Sequence, residues 1–305
     1  MQRYILSRVF QGLIALLALS LIIFMSVHLS GDPALLLLPP EATTADYEQL
    51  RENLGLDRPI LVQYGTFLLN AVQGDFGHSI TTRRPARDVL LERIPATLQL
   101  AAVGMLLAVL MGVPLGILSA VKRDSLLDKG CKLFAIAGIG APQFWVAIML
   151  ILLFGAILQW LPTYGRGGPS HFVLPAFVLA WSIMAGMMRL ARSSMLEVLD
   201  SEFVKFARVK GLTERLVIWK HALRNAMIPL ITFGGISLAG LLNGAIVVEV
   251  VFAWPGVGRL MLEGVAQRNF PIVEATVLTS GFFYILTSLF VDILYVYVDP
   301  RIRIE

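Results

Sequence analysis

Ala207-Arg208-Val209-Lys210-Gly211-Leu212-Thr213-Glu214-Arg215-Leu216-Val217-Ile218-Trp219-Lys220-His221-Ala222-Leu223-Arg224-Asn225-Ala226-Met227-Ile228-Pro229 is a charged, amphipathic stretch set between long uncharged runs. Upstream, Ser194 and Glu197 have capping-box spacing, which predicts a helix starting at Ser194. Gly211 follows the basic turn ending in Lys210, where a left-handed C-terminal cap suits a residue without Cβ. Thr213 offers an N-cap for a second short helix, with Glu214 near its positive end. Leu216, Trp219 and Leu223 fall at i, i+3 and i+7, an apolar stripe between Arg215, Lys220 and Arg224. A short cationic helix presenting Leu and Trp between two apolar runs is built to meet a partner.

The rest of the chain is apolar enough to explain why that stretch stands out. Hydrophobic residues make up 57% of 305 and charged residues 15%, with a mean hydropathy of +0.75. Soluble domains carry about 25% charged residues, so this is the composition of a membrane protein. The net charge of +4 is spread over the flanks of apolar runs, which argues against nucleic acid as a partner. Cys131 is the one cysteine, so neither an internal disulfide nor a multi-cysteine metal site exists, and it reads as a small apolar filler.

Six apolar runs predict six transmembrane helices. They are residues 9–31, 94–121, 133–165, 167–188, 225–248 and 275–298, the second with Pro95 in its first turn. Arg3 and Arg8 precede the first run, which is too long for a signal peptide and is expected to stay as an uncleaved helix. Residues 32–93 mix both charge signs with the turn signatures Gly31-Asp32-Pro33, Leu54-Gly55-Leu56-Asp57-Arg58-Pro59 and Gly74-Asp75-Phe76-Gly77. Helices are expected there from Ala45 to Leu54 and from Val62 to Val72. Cations cluster on one set of short loops: Arg3, Arg8, Lys122, Arg123, Lys129, Lys132, those from Arg189 to Arg224, Arg301 and Arg303. Arg166, Arg259 and Arg268 stand on the short loops opposite, so both termini and the organising loop are expected inside.

The stretch 207–212 with 221–229 resembles the cytoplasmic coupling loop of ABC-importer permeases, and more narrowly the dipeptide/oligopeptide/nickel branch. Where the general importer motif begins Glu-Ala-Ala, this chain has Lys205-Phe206-Ala207, and its Gly211-to-Pro229 spacing is longer, as in the peptide branch. The resemblance implies an all-α integral membrane protein of the type I ABC importer permease architecture. It assigns 1–31 to the N-terminal region and first helix, 32–93 to an extracytoplasmic insert, and 94–305 to the core with helices two to six. Within that core, the coupling loop spans 193–225. In such permeases the loop docks into an ATPase groove, which here assigns Ala207, Gly211, Leu212, Leu216, Trp219, Leu223, Arg224 and Asn225 to coupling.

Further motifs carry the same resemblance. Glu249, Phe252, Trp254, Pro255, Gly256 and Gly258 fit a Glu-x-x-Phe-x-Trp-Pro-Gly-x-Gly segment that dips toward the translocation path as a gate or docking loop. Its residue types suit that shape, with Trp254 at the membrane interface and Pro255, Gly256 and Gly258 in a tight re-entrant turn. Asp292, read as the only carboxylate well inside a run, is expected to be a structural partner between helices. The family shows a comparable Val-Asp and Asp-Pro-Arg ending, here Asp299-Pro300-Arg301. The implied assembly is a second homologous permease, two ABC ATPase subunits and an extracytoplasmic solute-binding protein, embedded in membrane lipid of a bacterial inner membrane.

Chemistry belongs elsewhere in that assembly. The chain has no phosphate-binding Gly-x-x-x-x-Gly-Lys-Ser/Thr loop, and neither His-Glu-x-x-His nor Gly-x-Ser-x-Gly. It is therefore expected not to be an enzyme and to bind no cofactor, ATP and Mg residing on the partner ATPases. His28, His78, His171 and His221 lie in separate segments without metal-ligand spacing, and Met184, Met187 and Met188 read as adaptable packing. Short peptides are the expected cargo, with glutathione or nickel and metal–chelator complexes as alternatives. An ion-coupled secondary transporter is the reading from another class, and it calls for paired intramembrane charges or an inverted repeat, neither of which is found.

Overall fold

The apolar runs become helices, and several overrun the limits that hydropathy sets. The structure, a computed structural model, describes residues 2–29, 43–53 and 55–298. In chain order its helices are α1 (Gln2–Leu29), α2 (Thr44–Asn53), α3 (Ile60–Val72), α4 (Ala86–Val121), α5 (Leu126–Gly140) and α6 (Gln143–Leu150), the last continuing as a π-turn over Ile151–Ile157. There follow α7 (Ser170–Leu199), α8 (Glu202–Val209), α9 (Glu214–Leu216) with a π-turn over Val217–Ala222, α10 (Leu223–Val251), α11 (Val257–Ala266) and α12 (Phe270–Val298). Among the described residues, five helices are long and apolar enough to cross a membrane, or six if the bent pair α5–α6 counts as one span. The turn at Gly31, the residue Leu54 and the Asp299-Pro300-Arg301 ending lie outside the described residues.

Helical hydrogen bonds satisfy the backbone in water as well as in lipid, so a span can continue through polar turns. Thus α4 begins at Ala86 and Pro95 lies inside it rather than in its first turn. Ser194 does not start a helix: it is buried within α7, which runs on to Leu199, and Ser201 opens the next helix instead. Glu249 and Glu274 fall inside α10 and α12, so Asp292 is not the only carboxylate within a spanning helix. The third run is not one straight span. Pro142 disfavours helical backbone at Ala141, which is extended (φ −82°, ψ 125°), and the two halves meet at 113°.

The chain divides into two units. The first comprises Met1–Thr97 and Pro255–Ile285. Here α1 holds α3 through Ser20 Oγ and Tyr64 Oη (2.8 Å), and Phe24 packs on Tyr64 and Phe67 with ring centroids 5.4 and 5.6 Å apart. Ala86, Val89 and Leu90 form a core with Val257, Leu260, Ile272 and Ala275. Asn269 ties the 79–81 turn to this core: its Nδ2 donates to Ser79 Oγ (2.8 Å) and its Oδ1 accepts from the Ile80 N–H (3.1 Å).

The second unit, Leu98–Trp254 and Leu286–Glu305, is built around α7. Its inner face is mostly Ala, Gly and Met, among them Ala180, Met184, Ala185, Gly186, Met187, Met188 and Ala191. Small residues let neighbouring backbones approach closely. Gly112 and Gly116 of α4, at i and i+4, face α7 so tightly that a Cβ on Gly116 would lie 2.4 Å from the Met188 carbonyl oxygen. Gly138 of α5 meets Ala185 in the same way, and Gly186 receives the Phe233 ring of α10.

Candidate functional site

The loop between α7 and α10 is two short helices pinned from beneath. Val204 and Ala207 of α8, Val217 and Ala222 of the π-turn, and Ala226 of α10 bury against Ile117 and Ala120 of α4 and Met195 of α7. The turn between the short helices is a Schellman motif. Leu212 N–H bonds Ala207 C=O (3.4 Å), Gly211 N–H bonds Arg208 C=O (2.9 Å), and Leu212 packs into the cluster that holds Ala207. Gly211 has φ 78°, the left-handed conformation expected of it, and Thr213 stands at the start of α9 without making a side-chain cap bond.

The outward face differs from the stripe that α-helical spacing suggests. Val217 and Ala222, five residues apart, both point inward because the segment is π-helical, with i→i+5 hydrogen bonding. Leu223 therefore leaves the stripe and packs against the inner cluster, while Leu216 and Trp219 remain exposed. Three residues missed in the sequence join them: Phe203, Phe206 and Val209, at i, i+3 and i+6 of α8, the latter two 60% and 83% exposed. That spacing was the signal available for finding them.

Cations ring this apolar surface. Lys210 Nζ sits 4.8 Å from the centre of the Phe206 ring. Arg208 Nε donates to Glu214 Oε1 (2.8 Å) across the Gly211 turn, and Lys205 pairs with Glu202 (2.8 Å), which holds the Glu202 carboxyl below its ordinary range. These pairs are exposed and add little stability. Arg224 and Asn225 are exposed at the start of α10, where Asn225 Nδ2 donates to the His221 carbonyl (3.0 Å).

A buried acid anchors the helix that carries the loop. Asp128, fully buried at the first turn of α5, accepts from Ser119 Oγ (2.6 Å), the Asp124 N–H (3.0 Å) and Arg192 Nε of α7 (2.7 Å). Lys132 Nζ adds an ion pair at 2.8 Å. Ser125 caps α5 by accepting from the Asp128 N–H, so Ser125-x-x-Asp128 was a legible helix start. Its partner Arg192, 64 residues on, was not.

Glu249 to Trp254 closes the second unit. Glu249, Phe252 and Trp254 are all fully buried, and Trp254 meets Phe172 edge-on at 4.6 Å. Trp254 is thus a core residue here rather than an interfacial anchor. The strained backbone falls on Ala253 (φ 49°), whereas Gly256 is in ordinary extended conformation. In the first unit, Pro255 and Gly256 lead into α11, Gly258 lies inside that helix rather than in a turn, and the Val257 N–H donates to Thr97 Oγ1 (2.8 Å). Asp292 is partly buried on α12.

Residues 112–304 match the family model described as "Binding-protein-dependent transport system inner membrane component", and residues 1–101 match that of its N-terminal part. The chain belongs to this family of ABC importer permeases. It is 41% identical over 304 residues to the glutathione transport system permease protein GsiC of Escherichia coli K12, spanning 99% of each chain. The GsiC of Shigella dysenteriae serotype 1 is equally similar, at 41% over the same span. Its fold is that of type I importer permeases. An inward-facing structure of the MetNI methionine ABC transporter matches 69% of this chain and 96% of that one with a TM-score of 0.54 at 18% identity. An amino acid ABC transporter with histidines matches 68% and 93%, with a TM-score of 0.52 at 16% identity. The permease is therefore a multi-pass inner-membrane component of a binding-protein-dependent importer.

Proposed function

We propose that this permease forms half of the translocation pathway for short peptides and takes up ATPase motion through the α8–α9 loop. The single observation that carries the coupling role is the two-faced loop. Val204, Ala207, Val217 and Ala222 fix it to the helix bundle, and Phe203, Phe206, Val209, Leu216 and Trp219 are left for a partner. A rigid inner face suits transmission, because a push on the outer face moves α7 and α10 as bodies rather than bending the loop. Two ATPase subunits, binding ATP and Mg, a second permease and a solute-binding protein complete the assembly. The cation-rich loops hold both termini and the coupling loop on the cytoplasmic side.

Among short peptides, glutathione is favoured by the similarity to GsiC over the whole chain. The Glu249–Gly258 segment serves as the extracytoplasmic gate, and Asp292 as a structural partner. Uptake of labelled glutathione and of a dipeptide into vesicles holding the full assembly, with and without ATP, tests the reading. Uptake that follows an ion gradient and ignores ATP would replace it with a secondary transporter.

A further inference from the structure

The first unit contains a cleft that neither the coupling role nor the gate uses. It has a volume of about 560 Å³, within the range of roughly 300–1,000 Å³ typical of small-molecule sites. Phe24 and Phe67, from α1 and α3, and Phe270 and Glu274, from the start of α12, line it. Arg58, Asn70, Gln63, Thr66, His28 and His78 make up the rest of its polar side.

Glu274 defines what fits. Its side chain is partly buried, and no hydrogen bond or ion pair reaches it from the described residues. A carboxylate withdrawn from water without a partner is costly, and a cation bound beside it relieves that cost. His28 does not supply it: Nδ1 faces the Phe24 carbonyl (2.9 Å) and Nε2 faces Gln63 Oε1 (2.9 Å), leaving neither ring nitrogen for Glu274. A metal ion is disfavoured too, because no three His, Cys, Asp or Glu side chains converge among the described residues. An organic ammonium suits better, because a single carboxylate can accept its N–H donors without the further ligands a metal ion requires. Arg58, exposed and without an ion-pair partner among the described residues, supplies a positive charge on the same cleft.

We propose that this cleft is a cargo subsite of the permease that recognises a zwitterion. The ligand's primary ammonium lies at Glu274, and its carboxylate lies toward Arg58. The assignment rests on short-peptide import, whose termini carry these two charges.

The test uses the full-length permease with its ATPase subunits in phosphatidylcholine nanodiscs, without solute-binding protein. Binding of labelled Ala-Phe is compared with N-acetyl-Ala-Phe and Ala-Phe amide. Wild type should bind Ala-Phe, and either blocked form should bind about tenfold more weakly or worse, the scale of one lost charge-assisted contact. Glu274→Gln should erase the preference for the free amine, and Arg58→Gln the preference for the free carboxylate. Equal binding of all three peptides to wild type, or binding of none, would overturn the subsite without recourse to any variant. Phosphatidylethanolamine carries the same two charges and supplies the control. If it displaces Ala-Phe and is retained only when Glu274 is present, the ligand is a lipid and the cargo assignment fails. ATP-driven uptake is measured separately, and its loss with binding intact rejects the import reading alone.

Discussion

Arg192 grips Asp128 with two nitrogens, Nε at 2.7 Å from Oδ1 and Nη2 at 3.2 Å from Oδ2, and so ties α7 to the first turn of α5. The acid is fully buried, whereas the arginine side chain is 21% exposed. Charge and direction are both specified, because a forked guanidinium matches a carboxylate in one plane. Asp128→Asn should therefore cost about 3 kcal/mol, the lower end for breaking a buried pair, since Arg192 keeps some water. Removing both charges in Asp128→Asn/Arg192→Gln should recover part of that loss. Thermal unfolding of the purified variants checks this, and wild-type behaviour of the single variant would show that the pair does not anchor α7.

The approach of α4 to α7 sets a second expectation. At Gly116 a Cβ would meet the Met188 carbonyl oxygen at 2.4 Å and the Ala191 Cβ at 2.6 Å, and backbone cannot rotate away. Gly116→Ala should destabilise by about 1–3 kcal/mol, the range for overpacking. Gly130 of α5 is the internal comparison, with nothing within 4 Å of its built Cβ. Gly130→Ala should be neutral or stabilising by up to about 1 kcal/mol, as in an open helix site. Equal melting shifts for the two would remove the close-approach argument.

Gly211 presents the opposite case, space without conformational choice. No atom lies within 4 Å of a Cβ there, yet φ is 78°. Gly211→Ala should cost about 1–2 kcal/mol for left-handed backbone alone, and Gly211→Asn less. Local loss should appear as faster amide exchange at Gly211 and Leu212, whose N–H groups close the Schellman turn. Unchanged exchange would mean the turn is held by its side chains.

Asp292 separates a structural from a proton-carrying role. If it bonds between helices, Asp292→Asn should keep most uptake and Asp292→Leu should lower the amount of assembled complex. Loss of uptake in the Asn variant at normal protein levels would instead assign it to proton transfer.

Much of this architecture was legible because lipid demands long apolar helices, and the six runs mark them. Gly211 was legible because its requirement is local: one backbone angle and one missing Cβ. The π-turn at Val217–Ala222 was not, since hydropathy at α-helical spacing assigns Leu223 to the outer stripe and only the packed cluster shows it inside. Trp254 was misplaced for a similar reason, as an indole suits an interface or a core and its neighbour Phe172 lies far off in sequence. The Asp128–Arg192 pair and the approach of Gly116 to Met188 are long-range facts, fixed by tertiary packing rather than by any local pattern.

The coupling loop is tested most directly by ATPase co-purification from membranes expressing Leu216→Asp, Phe206→Asp and Leu216→Met. Leu216 and Phe206 are exposed on the permease, so an Asp there does not disturb its core. Near the start of α9, an Asp at 216 even favours the helix dipole. Burying either side chain in a partner is worth about 1.5–3 kcal/mol, and an unpaired buried carboxylate reverses that gain. Both Asp variants should lose ATPase subunits while the permease still inserts, and Leu216→Met should retain them as wild type does. Full ATPase retention by both Asp variants would contradict the coupling role and place the contact elsewhere on the permease.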